Sequence, residues 1–177
     1  MKLIILDRDG VINYDSDEYI KYPEEWRPIP GSLEAIARLT HHGWRIAVAS
    51  NQSGIARGLF DMATLNAIHA KMHKAVAQAG GRIDAVFYCP ELPDSGSPMR
   101  KPEPGMLLAI GERFHVPLAE VPVVGDKEAD LLAAVAAGAQ PVLVLTGKGA
   151  ETQARGALPP KTVVYPDLAA VAQALCP

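Results

Sequence analysis

At 177 residues, 49% of them hydrophobic and 21% charged, the chain is sized for one globular domain with a substantial core. Its formal net charge of -3 leaves no basic excess, which argues against nucleic acid and anionic membranes and for a small soluble partner. The first apolar run ends at Leu6, too short for a signal peptide or a spanning helix, and no later stretch supplies one, so a cytoplasmic location is expected.

In chain order, short β-type runs at 3–6, 45–49, 83–88, 121–124, 141–145 and 162–165 alternate with helical spacing at 32–42, 61–79, 105–115, 129–137 and 168–175. Several of the helices open on Pro-Gly or Asp-type start signals. Such alternation predicts an α/β protein: a three-layer, Rossmann-like parallel sheet with right-handed crossovers and helices on both faces. The near-continuous apolar strands fit a sheet buried on both sides. No repeat, low-complexity tract or linker divides the chain, so a single domain spanning 1–177 and a monomer are expected. Two cysteines, Cys89 and Cys176, lie too far apart to suggest a disulfide framework, in keeping with a reducing compartment.

In doubly wound sheets the ligand crevice lies beyond the carboxyl ends of the strands, and the polar residues of this chain gather there. Strand one runs into Asp7-Arg8-Asp9-Gly10, strand two into Ser50-Asn51-Gln52, the segment after strand three into Arg100-Lys101-Pro102, and strand four into Gly125-Asp126-Lys127. Side chains alternate along a strand, so Asp7 and Asp9 fall on one side and Asp126 can join them from another strand end. Clustered carboxylates repel and raise one another's pKa unless a cation sits among them, and an all-oxygen site with open water positions suits Mg²⁺. Aspartate is a competent nucleophile toward phosphorus, and a second carboxyl can pass protons to the leaving group and from water. Ser50 and Lys101 supply a hydrogen bond and a charge for a transferring phosphoryl group. Each motif has an ordinary explanation: turn and capping residues in "DRD" and "SNQ", Asp126 as an N-cap in "GDKEAD", a proline-stiffened loop in "RKPEPG". Their ordered occurrence at successive strand ends is what points to a site.

The motifs "DRDGVIN", "SNQ", "RKPEPGM" and "GDKEAD" resemble those of the haloacid dehalogenase (HAD) superfamily of phosphatases. Within it, "LDRDGVIN", "SNQSGIARG" and "RKPEPGMLL" resemble the D-glycero-D-manno-heptose 1,7-bisphosphate 7-phosphatase group, a relative of the histidinol-phosphate phosphatases. The resemblance implies Asp7 as a nucleophile forming an aspartyl-phosphate and Asp9 as general acid and base, its carboxyl free and its backbone carbonyl offered to Mg²⁺. Asp7 and Asp126 become the carboxylate metal ligands. Ser50 and Asn51 hold the phosphoryl group, Lys101 stabilises it and Asp7, and Arg100 contacts the sugar or its second phosphate. Lys127 is a lesser substrate-binding candidate, Asp130 an orienting residue, and Arg57 as plausible in a structural role as in binding. A bacterial cell-surface polysaccharide (lipopolysaccharide) pathway is implied as well.

The chain departs from that group's pattern in the loop before "RKP". A structural zinc there needs Cys-x-His and Cys-x-Cys pairs, but this chain has Cys89-Pro90-Glu91 and Ser97-Pro98-Met99, so zinc is expected to be absent and Cys89 to be a buried, inert thiol. The five histidines lie in or beside helices. For His69 and His73, at i, i+4, a solvated face is expected. Tyr14, Tyr19, Tyr22 and Trp26 read as packing of the loop at 13–30, with a wall over the substrate as the functional option. No insertion is long enough for a cap domain, so the site is expected to be capless and open. Histidinol phosphate or another small ester remains an alternative substrate. A phosphate-accepting signalling module is a second class, disfavoured because its acceptor Asp follows the third strand, whereas here that strand ends in Tyr88-Cys89. With all of the Asp, Asp, Ser, Lys, Asp set present, a catalytically dead binding domain is disfavoured too.

Overall fold

Six strands form one parallel sheet in the order β3-β2-β1-β4-β5-β6 in a computed structural model that describes residues 1–177. They are β1 Lys2–Leu6, β2 Trp44–Asn51, β3 Ala85–Cys89, β4 Pro122–Gly125, β5 Gln140–Val144 and β6 Val163–Tyr165. The helices are α1 Ser32–His41, α2 Met62–Gln78, α3 Gly105–Phe114, α4 Glu128–Ala136, α5 Gly149–Ala154 and α6 Leu168–Leu175. The order reverses beside β1, which pairs with both β2 and β4, so their carboxyl ends flank the crevice where such sheets bind ligands.

Alternation along each strand divides the core in two. Ile4 and Leu6 of β1, Ile46 and Val48 of β2 and Val142 and Val144 of β5 pack in a cluster of 22 buried residues with α1, α2 and α6. Leu3, Ile5, Ala47, Ala49 and Val123 face the opposite way, into a 12-residue cluster with Met106, Leu107 and Ile110 of α3 and Ala133 and Ala134 of α4. The predicted three layers are therefore present, and the short Ala47 and Ala49 side chains match the smaller cluster.

The structure adds two elements that the sequence reading lacks, the 3₁₀ turn Pro23–Glu25 and the six-residue helix α5. Both are too short to show an apolar period. Asp61 caps α2 as a start signal should, its carboxylate accepting the Thr64 N–H at 2.8 Å. At α4 the ordinary explanation of Asp126, an N-cap, does not hold. Lys127 holds that position, while Asp130 Oδ2 accepts the backbone N–H groups of Asp126 and Lys127 at 3.2 and 3.1 Å. Capping is thus done from inside the helix, and the Asp126 carboxylate is released to face β1.

Candidate active site

The carboxyl ends of β1 and β4 bring Asp7 and Asp126 together, and α4 adds Asp130. Their carboxylate oxygens lie within 4.8 Å of one another, and all three residues are buried. Burial first, and the Asp130 charge second, push the Asp7 carboxyl well above its usual range, with Lys101 opposing. The same two causes push Asp126 up to about 7. Asp130 is differently occupied. Its Oδ1 accepts a 2.6 Å hydrogen bond from Lys101 Nζ and its Oδ2 is spent on the two N–H groups of the α4 turn. Asp130 therefore orients Lys101 and closes the turn, while Asp7 and Asp126 keep free oxygen.

Lys101 is the cation of this floor. Its Nζ donates to Asp130 and to the Ala49 carbonyl at 2.7 Å and lies 3.3 Å from Asp7 Oδ1. Burial disfavours the ammonium, but Asp130 and Asp7 outweigh burial and hold it charged. The loop that carries Lys101 is pinned to β2 by Asn51, whose side-chain Nδ2 donates to the Lys101 carbonyl at 3.0 Å and whose Oδ1 accepts the Lys101 N–H at 3.1 Å. Both ends of the Asn51 side-chain amide are thus occupied by the Lys101 backbone, which leaves the Asn51 main chain for any contact with a phosphoryl group.

The Asp126 carboxylate sits in a cradle the sequence reading missed. Lys148 N–H donates to its Oδ2 at 2.8 Å, and Thr152 Oγ1 donates to its backbone carbonyl at 2.7 Å. Gly10 and Gly147, both at positive φ, press against it from two sides, and a Cβ on either would collide with Oδ2. Its Oδ1 is buried without any hydrogen-bond partner. A buried bare carboxylate oxygen beside a second carboxylate whose pKa is also raised is the donor set a hard divalent cation satisfies, so Asp7 and Asp126 fit Mg²⁺.

Asp9 lies above this floor, half-buried on the wall of the cavity. Its carboxyl is held by three side-chain donors. Oδ1 accepts from Arg8 Nε at 2.9 Å and Asn13 Nδ2 at 2.8 Å, and Oδ2 from Gln52 Nε2 at 3.2 Å. Burial pushes the group up, but the Arg8 charge and these three hydrogen bonds together bring it below its ordinary value. Gln52 also donates to Ser50 Oγ at 2.8 Å, tying the hydroxyl of the second motif to the acid of the first. Behind Asp9, His69 is buried, not solvated, with Nε2 3.1 Å from Arg8 Nη1. Burial, then Arg8, lowers its pKa to about 4. His73, one turn on, is exposed as expected.

A polar cavity of about 730 Å³ opens over these groups, and Arg57, Arg100, Lys101, Lys127 and Lys148 all line it. Arg100 Nη1 donates to the Glu91 carbonyl at 3.1 Å, which ties the loop at 89–104 to the wall. Lys127 and Lys148 pair with Asp15 at 3.4 Å and Asp17 at 2.7 Å, drawing the loop after β1 across one side. Of the aromatic cluster, Trp26 is core, Tyr14 and Tyr22 are exposed, and Tyr19 alone lines the cavity, with the Arg57 guanidinium 5.6 Å from its ring centroid. Cys89 is buried, its Sγ 3.9 Å from Ser97 Oγ, and belongs to no cluster of three or more His, Cys, Asp or Glu side chains. No helix is long and apolar enough to cross a membrane.

The sequence profile of the HAD-hydrolase-like family matches residues 98–171, the stretch holding Lys101, Asp126 and the Asp126 cradle. The chain is 61% identical to the D-glycero-β-D-manno-heptose-1,7-bisphosphate 7-phosphatase of Bordetella bronchiseptica over 99% of this chain and 98% of that one. It is 58% identical to the corresponding Pseudomonas putida enzyme over 99% of both chains. The crystal structure of the Bordetella bronchiseptica phosphatase, complexed with magnesium and phosphate, superposes with a TM-score of 0.97 at 60% identity, covering 99% of this chain and 98% of that one. The motifs, the sheet order and these likenesses agree, and the chain belongs to the D-glycero-D-manno-heptose 1,7-bisphosphate 7-phosphatase family of HAD-like hydrolases.

Proposed function

We propose that this chain is a Mg²⁺-dependent phosphatase that removes the 7-phosphate of D-glycero-β-D-manno-heptose 1,7-bisphosphate through an aspartyl-phosphate intermediate. The observation that carries the reading is the buried floor, in which Asp7 and Asp126 meet around a bare carboxylate oxygen with Lys101 alongside. The substrate comes from the named relatives, and the β anomer with it.

A carboxylate oxygen of Asp7 attacks phosphorus while Asp9, ionised in the free protein and protonated in the complex with the anionic substrate, gives its proton to the departing sugar oxygen. Asp9, now ionised, takes a proton from a water that attacks the phosphorus of the aspartyl-phosphate, which restores Asp7 and releases inorganic phosphate. The proton Asp9 lends in the first half is recovered in the second. Its Oδ2 is the less occupied oxygen and the one available for transfer. Lys101 sets a fixed positive charge beside Asp7 where the phosphoryl oxygens arrive, so little reorganisation is needed as charge develops. Ser50 offers its hydroxyl to the same group, and Asn51 acts through the Lys101 backbone. Asp7, Asp126 and the Asp9 backbone carbonyl would hold Mg²⁺, whose charge offsets the clustered carboxylates and the phosphoryl oxygens. Arg100 and Lys127, with Arg57 and Lys148, form a basic rim for the rest of a bisphosphorylated sugar. The protein works as one domain and a monomer in the cytoplasm, and the loop at 89–104 holds its shape without zinc, through Cys89, Ser97 and the Arg100 tie.

Phosphate release from both anomers of the heptose bisphosphate, fructose 1,6-bisphosphate and histidinol phosphate, with Mg²⁺ and with EDTA, tests this. A Mg²⁺-dependent kcat/KM highest for the β anomer is expected. Equal low rates on every ester would remove the heptose assignment, and no release from any would remove the phosphatase.

A further inference from the structure

Arg8 is fully buried, yet its guanidinium is only partly satisfied. Nε reaches Asp9 Oδ1 at 2.9 Å, Nη1 reaches His69 Nε2 at 3.1 Å, and Nη2 has no partner. A guanidinium only donates, so the imidazole must accept at Nε2 and keep its proton on Nδ1. The group is also planar. Once Nη1 is fixed on His69, the direction in which Nε–H points is fixed too, and it points at Asp9. His69 is carried by α2, a 17-residue helix anchored in the larger core through Ile68, Met72 and Val76. A rigid element remote from the strand ends is thereby linked to the side chain that moves the proton.

We propose that His69 is a positioning residue for proton transfer, a neutral acceptor that holds the Arg8 guanidinium in the one plane that orients the Asp9 carboxyl toward the leaving group. The proposal rests on the reading of Asp9 as general acid and base. Oδ1 of Asp9 is tied by Arg8 and Asn13, which leaves Oδ2, shared only with Gln52, turned to its task. Losing His69 leaves two of the three guanidinium nitrogens bare in a buried site, and the guanidinium then turns toward whatever acceptor it can find.

Leaving-group dependence separates this role from plain support of the fold. A sugar alkoxide needs a proton to depart and a p-nitrophenolate does not, and kcat/KM reports the steps up to that departure. The full-length Mg²⁺-loaded enzyme is compared with His69→Leu, His69→Gln, Arg8→Lys and Asp9→Asn on heptose bisphosphate and on p-nitrophenyl phosphate. His69→Leu is expected to lose about 10- to 100-fold in kcat/KM on the sugar ester and about threefold or less on the aryl ester. His69→Gln, whose amide oxygen accepts the same bond, is expected to recover most of that loss. If His69→Leu does not fold, Arg8→Lys, which keeps the charge and loses the planar fork, must show the same selectivity. Equal losses on the two esters, no loss, or a Gln variant no better than Leu would overturn the proposal. Asp9→Asn keeps the two failures apart. If it loses selectively on the sugar ester while the His69 variants do not, only the positioning role fails. If it shows no selectivity itself, the reading of Asp9 fails first.

Discussion

The floor and the rim of the cavity are built on opposite principles. The floor, Asp7, Lys101, Asp126 and Asp130, is buried, and nearly every polar atom has an assigned partner from a strand end or helix start. The rim, Arg57, Arg100, Lys127 and Lys148, rises from loops and helix starts, and its ion pairs meet water: the Lys127 side chain is 48% exposed against 4% for Lys101. Charges fixed in a dry site act strongly without rearranging, whereas exposed pairs are screened and exchange partners easily. The floor is therefore suited to bond breaking and the rim to choosing what arrives there. Floor substitutions should lower kcat, and rim substitutions should raise KM.

The largest effect is expected at the nucleophile. Asp7→Asn should lower kcat by about 10⁴-fold or more with the fold retained, measured by phosphate release alongside circular dichroism. Substantial turnover in that variant would sink the covalent route. Lys101→Gln should cost on the order of 10²–10³-fold in kcat, as loss of one fixed charge on developing anionic oxygens does elsewhere. An Asp130→Asn variant, which keeps Lys101 but weakens its anchor, should fall between that and wild type. A Lys101→Gln effect confined to KM would erase the distinction between floor and rim.

The floor was also the more legible half in the sequence. Apolar runs buried on both faces announce strands, and carboxylates directly after them have few bland explanations once four motifs line up in order. What the sequence hid depends on tertiary proximity. Gln52 and Asn51 sit in a legible motif, but that one bridges Asp9 to Ser50 and the other clamps Lys101 is decided by how β2 meets loops 43 and 50 residues away. His69 looks like half of an exposed pair with His73. The available signal was its place beside Ile68 and four residues after Leu65, on the face of α2 that also carries Met72 and Val76. The Asp126 cradle at 146–152 left no trace because its work is done by backbone N–H groups, small residues and one threonine on a helix of six residues.

Smaller effects sharpen the contrast. Arg57→Ala and Lys127→Ala should each raise KM for the bisphosphate about 3- to 10-fold with kcat nearly unchanged, and raising salt should shrink the difference from wild type. A salt-independent loss of kcat in Lys127→Ala would move that residue from rim to floor.

The finest distinction concerns the metal-free protein. Asp126 has its pKa raised from 3.8 to about 7 in the folded state, so between those values the folded chain holds a proton the unfolded chain has released, and stability falls as pH rises. His69, lowered from 6.5 to about 4, has the opposite slope over much of that range, its contribution being lost as pH falls. The wild-type pH profile in EDTA therefore mixes opposed titrations, Asp7 and Asp126 on one side and His69 on the other. Subtracting the profile of Asp126→Asn, which retains His69 and Asp7, leaves the contribution of the Asp126 carboxyl together with its effect on Asp7. The variant should gain on wild type by about 2–3 kcal/mol between about pH 5 and pH 8, read from urea unfolding in EDTA. Mg²⁺ at about 100 times its dissociation constant should then stabilise wild type by about 2.7 kcal/mol near pH 8 and the variant by much less. If the two proteins respond to pH and Mg²⁺ alike, the bare Asp126 oxygen is not where the cation binds. The charge tension of the floor would then be relieved by Lys101 alone.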